Sequence, residues 1–166
     1  HFPENPRVVA NPPHAMRPMG ACDDGRNIYC SYSRPYGQLG TTLLRYDTVT
    51  GKSSRVDSPI PNQQIVSLAL IKNRNLLLCG TTIHADCQSA PPVARKCCFA
   101  VLDTSTLKVK NRFDAPEGSA WAAIDGMISP RRYLCRCSGM ISGQNKAVFF
   151  EWDPLSGRGP EIGRMT

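Results

Sequence analysis

Apolar residues along this chain come in short runs, each cut off by polar turn formers. Examples are NIYCSYS (Asn27 to Ser33), QIVSLALI (Gln64 to Ile71), NLLLCGTT (Asn75 to Thr82) and AVFFEWD (Ala147 to Asp153). Within a run, apolar and polar side chains tend to alternate, which puts them on opposite faces of an extended strand. The breaks are rich in Asp, Asn, Gly and Pro, the residues that supply turn geometry. No segment sustains a 3.6-residue period, so helix is expected to be minor, one turn at most near Gly118 to Met127. The chain therefore reads as all-β, with about twelve strands.

The runs repeat. Cys30, Cys79 and Cys135 take one place in three successive units, spaced 49 and 56 residues apart. Asp47, Asp103 and Asp153 take another, spaced 56 and 50. Each Asp follows a large apolar residue (Tyr46, Leu102, Trp152) and opens a turn ending near Gly51, Leu107 or Gly157. An Asp in the first turn position caps the next amides with its carboxylate, and Gly supplies a positive φ. Within a unit the order is constant: a small-residue apolar strand (MRPMGAC, IVSLALI, AIDGMIS), a tight turn, a second apolar strand, a variable loop, a third strand ending at the Asp, and a more polar fourth. Four short strands in each unit of roughly fifty residues mark a β-propeller blade. The expected architecture is three four-stranded antiparallel blades, at residues 16–62, 63–117 and 118–166. Residues 1–15 would be a linker or the tail of a preceding blade. Three blades cannot close a ring, and open blades would leave bare sheet edges and apolar faces. The chain is thus expected to be part of a larger propeller or a fragment that assembles with further copies.

The third-strand ending LRYDTVTG (Leu44 to Gly51) and the junction PNQQIVSL (Pro61 to Leu68) resemble propellers of the quinoprotein and YVTN type. The nearest echo is a group of bacterial propellers associated with polysaccharide breakdown. The resemblance spans nearly the whole chain from Arg17 onward and is far more specific for fold than for activity. It implies a carbohydrate ligand, with lyase chemistry as its catalytic option.

Charge and cysteine content refine this picture. The chain has 166 residues and a net charge of +7, and Arg outnumbers Lys among its basic residues. Arg's planar fork pairs well with carboxylate, sulfate or phosphate, so an anionic ligand fits. The basic residues are scattered, with no stripe interleaved with aromatics, which argues against nucleic acid. No apolar run is long enough for a membrane helix. Eight cysteines with only three histidines and no CxxC knuckle argue against structural zinc and for an oxidising compartment. The chain is therefore expected to be secreted or periplasmic, with disulfides expected first between Cys22 and Cys30, and between Cys87 and Cys97 or Cys98. Alternatively, several of these residues are buried strand cysteines acting as small hydrophobes. No residue pattern calls for a metal or another cofactor.

In a propeller, the links between blades and between second and third strands share one rim, where long loops carry function. That rim would comprise Ser31 to Gly40, Thr81 to Lys96 and Ser138 to Lys146, with junctions at Asn11 to Arg17, Pro59 to Gln64 and Ala115 to Trp121. Candidate catalytic residues there are His14, Tyr32 and His84. Candidate substrate-binding residues are Arg17, Arg34, Tyr36, Gln63, Gln64, Arg95 and Trp121. Lysis of a uronic-acid chain needs a cation on the sugar carboxylate, a base for the neighbouring C–H and an acid for the leaving oxygen; Arg, His and Tyr can fill these roles. Glycoside hydrolysis would need two facing carboxylates, and the rim offers only Asp86 and Glu117. The alternative is a non-catalytic propeller that binds a protein or glycan partner, or serves as a scaffold for blade assembly.

Overall fold

The computed structural model describes residues 8–71 and 73–159. Among these residues it contains eleven strands and two single turns of 3-10 helix, Asp86–Gln88 and Pro154–Ser156. The first sheet holds β1 (Pro18–Asp23), β2 (Asn27–Ser33), β3 (Thr41–Asp47) and β4 (Ser53–Asp57), paired antiparallel in chain order. The second set is β5 (Gln64–Ile71), β6 (Leu76–Thr82), β7 (Cys98–Asp103) and β8 (Val109–Asp114), also antiparallel. The third is β9 (Ser119–Ser129), β10 (Arg132–Ile141) and β11 (Gln144–Trp152). A bridge between Thr82 and Trp121 joins β6 to β9, so the second and third sets are hydrogen-bonded into one seven-stranded sheet, whose two parts are called the second and third sheets below.

The equivalence of the three units holds at the level of strand register. Cys30 lies opposite Leu44, Cys79 opposite Ala100 and Cys135 opposite Phe150. Asp47 accepts the amides of Val49 and Thr50, and Asp103 those of Ser105 and Thr106. Asp153 caps Leu155 in the same way, and each turn releases its chain through a left-handed residue, Gly51, Leu107 or Gly157. The polar segment after the third of these turns runs beyond the described residues.

Two apolar clusters hold the sheets together. One lies between the first and second sheets and includes Tyr29, Leu43, Ile65, Leu77 and Leu102. The other lies between the second and third and includes Phe99, Val101, Ile124, Tyr133, Phe150 and Trp152. Phe99 and Val101 alternate with Ala100 and Leu102 along β7, so this strand feeds both clusters from its two faces. The first strands of the three sheets are neighbours, with β5 packed against both β1 and β9. Ser67 Oγ accepts the Ile124 amide at 2.9 Å, tying β5 to β9. A Cβ on Gly20 would come within 3.1 Å of Ser67 Cα, and one on Gly80 would strike the Ala122 carbonyl. At Gly80 only glycine permits backbones this close, whereas at Gly20 the contact would be tight.

The structure departs from the sequence reading at several points. Gly118 to Met127 is not a helical turn: Ser119 opens β9, the longest strand of the described residues. Ser138 to Lys146 is not a long loop but the end of a hairpin. β10 runs to Ile141 and β11 starts at Gln144, with Ser142 (φ 54°) and Gly143 (φ 74°) between them. Two left-handed residues match the twist of paired strands, and a Ser-Gly pair permits them. All eight cysteines are free thiols in this structure, contrary to the expected disulfides. Cys22 and Cys30 are offset rather than opposed, Cys22 facing Tyr29 and Cys30 facing Ala21. Cys87 is exposed, whereas Cys97 and Cys98 are fully buried.

Candidate functional site

Three stretches meet at the long-loop end of the first and second sheets: the approach to β1, the end of β2 and the loop between β6 and β7. Strand pairing carries past β1 into Arg17, whose carbonyl accepts the Ser33 amide at 2.9 Å. The Arg17 amide in turn donates to Ser33 Oγ at 3.0 Å. That hydroxyl donates onward to Asp86 Oδ2, also at 3.0 Å. The Arg17 guanidinium lies 3.4 Å from Asp86 Oδ1 and donates to Cys87 Sγ at 3.4 Å. Asp86 is only 6% exposed, while the Arg17 side chain keeps 54% of its surface open. A buried carboxylate thus anchors a cation whose far side faces solvent. The hydrogen bond to Cys87 and the charge of Asp86 both raise the Arg17 pKa, so the guanidinium is permanently charged.

The backbone supports this arrangement. Cys87 and Gln88 adopt left-handed φ of 51° and 55°, turning the loop sharply after Asp86. Gly37 donates its amide to Ser89 Oγ at 2.9 Å, which pins the loop after β2 to the same turn. Tyr36, the residue before Gly37 in the same loop, is 60% exposed. The cluster therefore presents an open cation and an open aromatic on a hydrogen-bonded base.

The other residues singled out from sequence separate into distinct environments. Arg34 turns inward, 3.3 Å from Asp57 Oδ1, and donates to Thr42 Oγ1 and Gln38 Oε1. Gln63 is buried, its amide nitrogen donating to the Lys96 carbonyl and its oxygen accepting from Thr81 Oγ1. Gln64 is buried within β5. The Gln63 side chain thus ties the junction before β5 to β6 and to the loop before β7. Tyr32 is half-buried, and its hydroxyl shares a hydrogen bond with Cys30; burial first, then that thiol, push it up to about 12. His84 is half-buried and donates its amide to Thr82 Oγ1. His14 is exposed, in a left-handed conformation just after Pro12 and Pro13. Arg95 lines a separate cavity of about 400 Å³ with Pro116, Glu117, Gly118 and Met140. Trp121, half-buried, lies in β9 opposite Ser138.

Asp86, Ser33 and Cys87 are the members of the cluster that were not singled out as ligand-facing from sequence. The signal for Asp86 was its position as an acid inside the apolar stretch TTIHADC. A larger concavity occurs at the opposite, tight-turn end. It measures about 540 Å³ and is lined by Asp24, Arg26, Asn27, Asn73, Asn75 and Thr104 among others. Its charged groups are already engaged: Asp24 accepts from the Arg26 and Asn27 amides and the Tyr29 hydroxyl, and Arg26 pairs with Asp47 at 2.8 Å. No cluster of three or more potential metal ligands occurs among the described residues. No helix among them is long and apolar enough to cross a membrane.

No protein-family model matches this chain, and no curated protein matches it. Among solved structures it is similar to an α-L-arabinofuranosidase from Clostridium thermocellum, at 12% identity and a TM-score of 0.49. The match covers 90% of this chain and 50% of that structure, so the chain spans about half the length of that protein.

Proposed function

We propose that the chain is a segment of a β-propeller that binds an anionic polysaccharide through its long-loop rim. Two features support the blade reading. The first strands β1, β5 and β9 are adjacent, as innermost strands of consecutive blades must be, and the repeat keeps its register across all three sheets. The observation that carries the ligand reading is Arg17. It is a half-open guanidinium held from behind by Asp86, which Ser33 supports in turn, and the loop pinned to the same turn carries the exposed Tyr36. A positioned Arg suits the carboxylate of a uronic acid, and an aromatic ring suits the apolar face of a sugar.

Lyase cleavage at this rim is the catalytic extension of the same reading. Tyr32 would act as the acid, since a phenolic hydroxyl is protonated at neutral pH and can donate to a leaving oxygen. His14 or His84 would be the base. The setting would be secreted or periplasmic, where such polymers are met.

The test is titration calorimetry with oligogalacturonate against a neutral oligosaccharide of equal length. Binding confined to the anionic ligand, and lost in Arg17→Ala, supports the proposal. Equal affinity for both, or none for either, overturns it. Ultraviolet absorbance from an unsaturated product separates cleavage from binding.

A second reading has its own support on the outer face of the third sheet. There Met140 is 58% and Phe149 40% exposed, with Arg136 stacked 5.9 Å over the Phe149 ring. In a propeller this face would pack against the next blade, supplied by the same protein or by another copy. Sedimentation across a concentration series tests self-assembly directly.

A further inference from the structure

We propose that the rim carries a second ligand pocket, between the second and third sheets, in which Arg95 takes the carboxylate of a sugar acid. The ligand class rests on the rim reading above, while the pocket has geometry of its own. It is a cavity of about 400 Å³ bounded by three separate stretches: the loop before β7 (Arg95), the junction before β9 (Pro116 to Gly118) and the β10–β11 hairpin (Met140 to Gly143). A cavity of that size suits a small ligand. Close backbone packing builds it. Gly118 has a left-handed φ of 81°, and a Cβ there would strike the Met140 carbonyl. A Cβ on Gly139 would likewise strike the Gly118 carbonyl. The junction therefore lies directly on β10, with the hairpin tip beside it. Ile141 is buried, whereas Met140 is 58% exposed and gives the pocket an apolar wall together with Pro116.

Charge gives the pocket its sign. Of the three arginines singled out on this rim, Arg17 and Arg34 each have an aspartate beside them. Arg95 is exposed and pairs with no carboxylate among the described residues. Glu117 is the one acid in the lining, and it is already engaged: its carboxylate lies 3.5 Å from Lys96 Nζ, which also reaches Asp114 at 3.6 Å. The backbone that follows Arg95 is anchored. The Lys96 carbonyl accepts from Gln63 Nε2 at 3.1 Å, and the amide of the fully buried Cys97 donates to the Ser119 carbonyl at 2.9 Å. An uncompensated guanidinium on a fixed base, beside an apolar wall, suits a ligand that brings a carboxylate on a ring with C–H faces. The Ser142 hydroxyl in the same lining can give or accept a hydrogen bond with sugar hydroxyls. One loop, between β6 and β7, supplies Asp86 to the Arg17 cluster and Arg95 to this pocket. A polymer laid along the rim would therefore meet two arginines in turn.

The experiment is amide-resolved nuclear magnetic resonance of the isotope-labelled full chain, titrated with galacturonate, with oligogalacturonate and with galactose as the neutral control. The Gly118 and Gly143 amides and the Arg95 Nε–H report on the pocket, and the Gly37 and Ser89 amides report on the Arg17 cluster. Galacturonate should shift the pocket signals and galactose should not. Affinity at those signals should fall roughly tenfold or more in Arg95→Ala, the loss of one charge-assisted hydrogen bond. Glu117→Gln, which removes the one acid of the lining, should bind at least as tightly as the parent. An oligomer held at both sites should bind more tightly than the monomer and lose that advantage in either Arg17→Ala or Arg95→Ala. Equal affinity for monomer and oligomer at the pocket signals would make its ligand the free sugar acid. No response of these signals to either acid, the same response to galactose, or an undiminished response in Arg95→Ala overturns the pocket. Weaker binding in Glu117→Gln overturns it too. A response at the pocket with none at Gly37 and Ser89 removes the Arg17 reading and leaves the pocket standing, and the reverse pattern removes the pocket alone.

Discussion

The Trp152 indole of β11 lies against the Phe99 ring of β7, with centroids 5.5 Å apart and planes tilted by 52°. The same indole meets Phe113 of β8 edge-on at 5.5 Å and donates its N–H to the Arg158 carbonyl at 3.0 Å. One side chain therefore closes the seam between the second and third sheets on its outer side. Trp152 is 2% exposed. Truncation to Ala should cost ~3–5 kcal/mol, since the lost transfer energy is compounded by a cavity beside the Phe99 and Phe113 rings. Denaturant unfolding followed by circular dichroism measures this, and Trp152→Phe should recover a large part.

Arg17 and Arg34 should differ in their effect on a ligand, although they looked alike in sequence. Arg17→Ala leaves the buried Asp86 carboxylate with Ser33 as its remaining side-chain partner and should lower stability by ~1 kcal/mol or more. It should weaken an anionic oligosaccharide by ~1.5–3 kcal/mol, the value of a charge-assisted hydrogen bond. Arg34→Ala removes a partner of Asp57, Thr42 and Gln38 in the first sheet. It should lower stability by about 1 kcal/mol and leave ligand affinity largely intact. Paired calorimetric melts and ligand titrations separate the two.

Gly80→Ala should be strongly destabilising, by ~2 kcal/mol or more, because its Cβ would be driven into the Ala122 carbonyl and cannot repack. Gly126→Ala is the matched control, also on a strand and with open space around the added methyl. A similar loss in both would mean that β6 and β9 are not in close approach.

Acid should erode stability through the turn carboxylates. Arg26, followed by the Thr50 amide, lowers Asp47 to about 2. At Asp24 partial burial acts upward, but the Asn27 and Arg26 amides outweigh it and bring the group to about 2. Ser105 and the Thr106 amide hold Asp103 lower still. A folded pKa below the unfolded value of 3.8 means that the unfolded chain binds protons more readily in acid. The contribution is complete above about pH 4 and fades as pH falls toward 2. Asp47→Asn should flatten this part of a pH–stability curve and leave the curve at neutral pH parallel to that of the parent.

Much of the scaffold was legible because its information is local. A period of two, an Asp at each third-strand end and a recurring Cys are all properties of neighbouring residues, and they survive as register: Cys30, Cys79 and Cys135 sit opposite Leu44, Ala100 and Phe150. The candidate site was legible only in part, because it depends on which side chains turn inward. Arg34 and Tyr36 are two residues apart, yet one is folded against Asp57 and the other is open to solvent. Gln63 looked like a ligand-facing amide but is fastened by Thr81 and the Lys96 carbonyl, residues far along the chain. The Ser142–Gly143 turn was hidden for another reason. SGMISGQNK has the composition of a loop, and the strand pairing that extends through it resides in backbone geometry.

The contact at Gly80 also sets a proportion. Small groups, Gly80 and Ala122, let the second and third sheets touch where β6 meets β9, while Phe99, Phe113, Phe150 and Trp152 pack together elsewhere between them. The space between the sheets is thus a wedge with a backbone vertex and an aromatic base. Trimming the base, for example by Phe150→Leu, would narrow the angle between the sheets about that fixed vertex instead of drawing them uniformly together. In a ring of such units, the volume of these four rings would fix how many wedges complete the circle.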